Sequence, residues 1–231
     1  MLTQTKVSVS LILVISTLLA ITGIMGQPGL GIFPTLFIIG ITLWRRRDRL
    51  SSLGYRRPEN WWGVVARAFL YSLVIYVIAT LFIEPLSEIA TNTTHDYSKL
   101  DGIRGNWLAA VQLLFVVWIF VAVAEETIYR GFLMTELAKV IGHSHSSLVF
   151  SVLFSSLVFG LSHGYQSFSG VLSTGGIGAL LAIVFVMRKF CIWEAIIAHG
   201  FIDTIGIILI TTNGDLFIRQ NFLAAIWKLP P

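Results

Sequence analysis

Trp107-Leu-Ala-Ala-Val-Gln-Leu-Leu-Phe-Val-Val-Trp-Ile-Phe-Val-Ala-Val-Ala124 is almost wholly apolar and runs straight into Glu125-Glu126-Thr-Ile-Tyr-Arg130. An apolar run of this length reads as a membrane-spanning helix. A charged side chain at the centre of such a helix costs about 3 kcal/mol on insertion scales. Two adjacent carboxylates with an arginine one turn later therefore need a reason, and the physical default is a functional site.

The rest of the chain agrees with a membrane setting. Of 231 residues, 55% are hydrophobic and 12% charged, about half the charged share of soluble domains. The fold class read from this is all-α, a polytopic transmembrane bundle of seven to eight helices enclosing an intramembrane polar cavity. Spans are expected at 7–25, 30–44, 61–83, 107–130, 147–164, 170–187 and 191–211. The first follows Lys6 but is too long for a secretion-signal core and has no small-x-small cleavage site, so it reads as a retained helix. The tail 216–229, with Arg219 and Lys228 after the Asn213-Gly214-Asp215 turn, reads as an interfacial amphipathic helix or a partial eighth span. The organisation divides into N-terminal helices and loops (1–106), a catalytic-type core (107–211) and the tail (212–231).

Charge placement orients the bundle. Arg45, Arg46, Arg47, Arg49, Arg56 and Arg57 crowd one short loop, and Arg188-Lys189 occupy another. By the positive-inside rule these loops are cytoplasmic, which puts the N terminus inside the cell. No aromatic or basic groove accompanies them, so no nucleic-acid partner is expected; the partners are membrane lipid and a peptide or protein at the membrane. The lone Cys191 excludes an intrachain disulfide or a multi-cysteine metal site. Leu53-Gly54-Tyr55-Arg56-Arg57-Pro58 reads as a surface turn leading to an interfacial anchor at Trp61-Trp62. Arg67 is expected to snorkel to the interface, and Glu194 to lie at the membrane edge or line a substrate entrance.

Three later spans each carry ionisable residues. Glu126 and Arg130 lie four apart and share a helix face, where they can pair. Glu125 points about 100° away around the same helix. Phe159-Gly-Leu-Ser-His163 ends the fifth span, and His199 and Asp203 share a face of the seventh. Taken singly, these residues read as core histidines, a structural ion pair or a proton path. Together, one ionisable group from each of three helices supplies the ingredients of a water-activating site.

The ordered motifs E-E-x-x-x-R (Glu125, Glu126, Arg130), F-x-x-x-H (Phe159, His163) and H-x-x-x-N/D (His199, Asp203) resemble the CPBP family. That family comprises CAAX prenyl proteases of the Ras-converting type and bacteriocin-processing Abi proteins. The resemblance extends to Ala-Glu-Glu-Thr-Ile-Tyr-Arg-Gly-Phe-Leu and to the Gly-rich sixth span (Gly170, Gly175, Gly176, Gly178), covering about 107–211. It implies an intramembrane endopeptidase of the glutamic type, without a metal. Glu125 would be the general base, holding and deprotonating water with His163. His199 and residue 203 would stabilise the oxyanion, while Glu126 and Arg130, with Phe159, would support the site.

Prenyl proteases carry Asn where this chain has Asp203, and an ionised Asp can only accept a hydrogen bond. Asp203 is then either protonated or an acid that orients His199, as in hydrolytic triads. Competing readings are a zinc enzyme using Glu125, His163 and His199, a non-catalytic immunity or scaffolding protein, and a proton-coupled transporter. One geometric conflict accompanies this reading. With the fourth span ending at Arg130 and the fifth starting at Ser147, Glu125 and His163 fall near opposite membrane faces. The sequence therefore predicts a tilted or late-starting fourth helix, or a re-entrant segment with 131–140 as a separate short helix.

Overall fold

The computed structural model describes residues 2–142 and 144–228, with side chains from Val7 onward. Among these residues there is no strand. In chain order the helices are α1 (Leu2–Ile24), α2 (Pro28–Arg46), α3 (Trp61–Thr91), α4 (Trp107–Ile141), α5 (His145–Ser162), α6 (Ser167–Met187), α7 (Trp193–Thr211) and α8 (214–227). Helices α1 to α7 are long and apolar enough to cross a membrane. The protein is an integral, multi-pass membrane protein, and the seven expected spans each coincide with one of these helices. The N-terminal Met1 and the end of the 216–229 tail lie outside the described residues.

Side-chain caps start three of the helices. Asn60 Oδ1 accepts from Gly63 N–H at 3.0 Å, Asn106 Oδ1 from Ala109 N–H at 3.1 Å, and Ser144 Oγ from Ser147 N–H at 3.1 Å. Wider π-turns interrupt several helices. In α4 they occupy Val117–Val121 and Thr127–Met134, the second beginning directly after Glu126.

Helix α4 corrects the expected boundary. It does not stop at Arg130, and 131–140 is not a separate helix; α4 continues to Ile141 for 35 residues. At 1.5 Å per residue that is about 52 Å, longer than the ~30 Å hydrocarbon layer. The helix ends in a tight turn where Gly142 takes φ 110, a left-handed value that favours glycine. α5 then returns antiparallel from His145. Counting equally back from Ile141 and forward from His145 brings Glu125 opposite Leu161, which removes the depth conflict. The Tyr129 hydroxyl donates to Ser162 Oγ at 2.8 Å, and Ser155 Oγ donates to the Tyr129 carbonyl at 2.7 Å, fixing this register. At the next hairpin, α5 and α6 cross closely at Gly160, where an added Cβ would collide with the Val171 carbonyl.

Smaller expectations are refined. The 53–58 turn is only partly a surface feature: Arg56 and Arg57 are exposed, but Leu53 is buried and the Gly54 carbonyl accepts from Ile192 N–H at 3.0 Å. The backbone of Leu53 packs so near Gly131 that a Cβ there would lie 2.9 Å from the Leu53 carbonyl oxygen. Trp62, by contrast, is exposed as an interfacial anchor should be. Arg67 keeps its side chain 41% exposed while its guanidinium pairs with the buried Glu194 at 2.5 Å. Arg188 reaches Glu194 from the other side, so Glu194 is locked between two guanidiniums rather than standing at an entrance.

The tail helix α8 docks on α3. Arg219 makes two 3.0 Å hydrogen bonds to the buried Glu88, and Trp227 Nε1 donates to the Leu81 carbonyl at 2.9 Å. Beside this contact a polar cavity of about 430 Å³ opens, bordered by Glu84, Tyr97, Arg104 and Asp215.

Candidate active site

The site is built on the middle of α4, with α5, α6 and α7 around it. Glu126 is fully buried, Arg130 is 1% exposed and Glu125 5% exposed. Burying a carboxylate–guanidinium pair is tolerable only when the remaining polar atoms are also satisfied. Arg130 meets that condition, whereas Glu126 Oε2 has no hydrogen-bond partner among the described residues. Arg130 Nη1 donates to Glu126 Oε1 at 2.8 Å, its Nη2 to the Gly178 carbonyl at 2.7 Å, and its guanidinium lies 4.7 Å from the Phe159 ring centroid. Gly178 has a steric reason to lack a side chain: a Cβ would stand 2.7 Å from Phe159 Cδ1 and 3.3 Å from Arg130 Nη2.

Helix α7 brings His199 against the same carboxylate. His199 Nδ1 lies 2.8 Å from Glu126 Oε1, the oxygen that also receives Arg130. A carboxylate in an ion pair is an acceptor, so Nδ1 carries the hydrogen in this bond. His199 Nε2 then points at two further carboxylates, Glu125 Oε2 at 3.8 Å and Asp203 Oδ2 at 3.6 Å. Both distances exceed a hydrogen bond. Of the three carboxylates around His199, only Glu126 lies within hydrogen-bond distance of the ring. Asp203, whose side chain is 28% exposed, stands at the rim.

His163 closes α5. Its Nδ1 lies 2.9 Å from the Phe159 carbonyl, an acceptor, so Nδ1–H is the donor and Nε2 is left with its lone pair. His163 packs 5.7 Å from the Tyr165 ring and stands within electrostatic reach of His199 and Asp203. Tyr165 is in turn within reach of Glu125 and Asp203. Among the described residues His163 makes no direct ion pair with Glu125. Phe159 is the hub: its ring meets Tyr129 at 4.9 Å, His163 at 4.8 Å and His199 at 6.1 Å.

Glu125, Glu126, Arg130, Phe159, His163, His199 and Asp203 thus gather in one region. Tyr129 and Tyr165 belong to it and were not singled out from the sequence. Tyr129 was visible, because it lies four residues after Glu125 and so on the same helix face. Tyr165 had no such signal, since it sits in the 3₁₀ turn Gly164–Gln166. Nearer the basic loops, the Tyr55 hydroxyl lies 2.6 Å from Thr127 Oγ1. Burial pushes the Tyr55 phenol above its ordinary value, the Thr127 contact opposes this and the Glu126 charge adds to it, so Tyr55 keeps its proton.

Among the described residues no three His, Cys, Asp or Glu side chains are arranged to hold a metal ion.

Fold and site together define a polytopic membrane protein with a buried centre of carboxylates and imidazoles contributed by three helices. Residues 106–205 match the family described as type II CAAX prenyl endopeptidase Rce1-like, a match that supports kinship of this core with the CPBP and CAAX intramembrane proteases. The match supports a peptidase of the CAAX type. No curated protein and no solved structure matches the chain.

Proposed function

We propose that the protein is an intramembrane endopeptidase of the glutamic type, acting on a peptide bond in a membrane-associated peptide or protein. The observation that carries this reading is the setting of Glu125. It is a buried carboxylate with no arginine of its own, 3.8 Å from His199 Nε2. Its neighbour Glu126 takes up Arg130 and His199 Nδ1.

In the proposed reaction a water sits between Glu125 and the lone pair of His163 Nε2. Glu125 removes a proton as the water oxygen forms a bond to the scissile carbonyl carbon. In its doubly protonated form, balanced by the carboxylates around it, His199 presents Nε2–H to the resulting oxyanion. Glu125 then returns the proton to the leaving nitrogen as the C–N bond breaks, giving a carboxylic acid and an amine, which exchange the remaining water proton to leave as carboxylate and ammonium. No step uses a metal. The basic loops around Arg45–Arg49 and Arg188 face the cytoplasm in this reading, and so does the N terminus.

The test is mass spectrometry of peptides released by full-length protein in liposomes bearing membrane-anchored peptides. Wild-type protein is expected to release fragments that Glu125→Ala does not. Identical release by both would overturn the glutamic mechanism.

A further inference from the structure

Helices α1 and α2 form a hairpin that is tight at one end and open at the other. Near the 25–27 turn they touch: a Cβ at Gly31 would collide with Thr22 Oγ1, and Leu19 and Ile32 are buried. Toward the basic loop they splay. Val7 is 56% exposed and Ile41 39% exposed, and between the two helices lies a cleft of about 390 Å³. Val7, Leu11, Ile38 and Ile41 line it with hydrocarbon, and Arg45 and Arg46 stand at its end.

The two arginines differ. Arg46 is fully engaged, with Nη1 on Glu136 Oε2 at 2.7 Å and Nη2 on Ser8 Oγ at 2.9 Å, so it ties the cleft to α4. Glu136 is also satisfied by Lys139 at 2.8 Å. Arg45 is exposed and makes no hydrogen bond or ion pair with any described residue. An apolar slot ending in an available guanidinium complements an amphiphile with a hydrocarbon tail and an anionic oxygen head. Guanidinium is suited to such heads because its planar fork binds two phosphate oxygens at once.

We propose that this cleft is a specific site for an anionic phospholipid, one acyl chain lying along Val7, Leu11, Ile38 and Ile41 and the phosphodiester on Arg45. The site is separate from the Glu125 centre and does not depend on the reaction assigned there. General attraction of a basic loop to an acidic membrane surface is the competing explanation. It predicts that every arginine of the loop counts equally, whereas a site predicts that Arg45 alone decides.

Native mass spectrometry of delipidated full-length protein would separate them, using phosphatidylglycerol and phosphatidylcholine with identical chains. One arginine near an anionic head is worth about a fivefold preference, so phosphatidylglycerol adducts should form at about one fifth the concentration needed for phosphatidylcholine. Arg45→Gln should erase the preference, while Arg47→Gln, which removes the same charge from an exposed residue outside the cleft, should leave it. Ile41→Trp should weaken both lipids by filling the slot. Glycerophosphoglycerol, the same head without chains, should not bind. Equal wild-type binding of the two lipids, equal loss in the two arginine variants, or retention of the chainless head would each overturn the proposal. The wild-type comparison decides even if a variant fails to fold.

Discussion

Glu126 and His199, 73 positions apart in sequence, are joined by a 2.8 Å bond from the imidazole Nδ1 to Glu126 Oε1, and the same oxygen holds Arg130. One buried carboxylate therefore anchors both its own helix and the α7 imidazole. Glu125, one residue earlier, is left free of that duty.

Removing Glu126 should have two separable effects. Glu126→Ala strands the Arg130 guanidinium in the interior and is expected to destabilise the fold by about 3–5 kcal/mol. Glu126→Gln keeps the volume but removes the charge that holds His199 Nδ1–H. Its melting temperature should fall less, while cleavage drops by about 10² or more, toward the ~10⁴ lost when a triad acid becomes an amide. Thermal melting in detergent, paired with fragment release, reads both. A Gln variant of full activity would contradict the orienting role.

Asp203 should matter less than its place in the motif suggests. At 3.6 Å from His199 Nε2 it makes no hydrogen bond. Asp203→Asn is expected to keep cleavage within about tenfold of wild type, whereas His199→Ala loses about 10²–10³, the worth of one oxyanion donor. Rates measured on a single fluorogenic membrane peptide would rank the two.

Glycine positions offer a steric test. Gly178→Ala pushes a methyl against Phe159 and Arg130 and should cost about 1–3 kcal/mol, as overpacking does, with a loss of activity. Gly40→Ala, in α2 with no atom within 4 Å of the new Cβ, should be neutral or stabilising by up to about 1 kcal/mol. Comparable melting temperatures for the two would show that the Gly178 contact is slack.

His95 lies in the loop between α3 and α4, where burial lowers its pKa from 6.5 to about 4. The fold favours neutral imidazole, so between these values the unfolded chain binds more protons and stability falls as pH falls. The loss across that window is at most about 3 kcal/mol, and less to the extent that the partly exposed ring keeps contact with water. His95→Gln should flatten the melting temperature between pH 7 and 5. An unchanged pH slope in that variant would assign the effect elsewhere.

Chelation tests the metal-free reading. Cleavage is expected to persist in a strong chelator, with elemental analysis finding no stoichiometric zinc. Loss of activity reversed by zinc would revive the three-ligand alternative.

The spans were legible because hydropathy alone defines them, but their ends were not. Residues 127–141 carry Tyr129, Arg130, Glu136 and Lys139, which look like a departure from the membrane. They remain helical because Ser162, Gly178, Arg46 and Ser8 from other helices satisfy them or their partners. Partnerships such as Arg67–Glu194 and Glu126–His199 link residues far apart in the chain, beyond any spacing rule. Local pairs, by contrast, could be read: Glu126–Arg130 stands at 2.8 Å, as its i, i+4 separation implied. The same kind of spacing says less about Asp203, because sharing a face with His199 places the two residues 3.6 Å apart without fixing which acid makes the bond.

The turn at Gly142 couples the lengths of its two limbs. Adding one residue to α4 between Glu125 and Ile141 alone would slide that limb by about 1.5 Å and rotate it by about 100° relative to α5, carrying Glu125 away from His163. Length changes in this hairpin that keep the centre assembled must come in matched pairs, one in each limb, so natural or engineered indels there should be compensated across the turn.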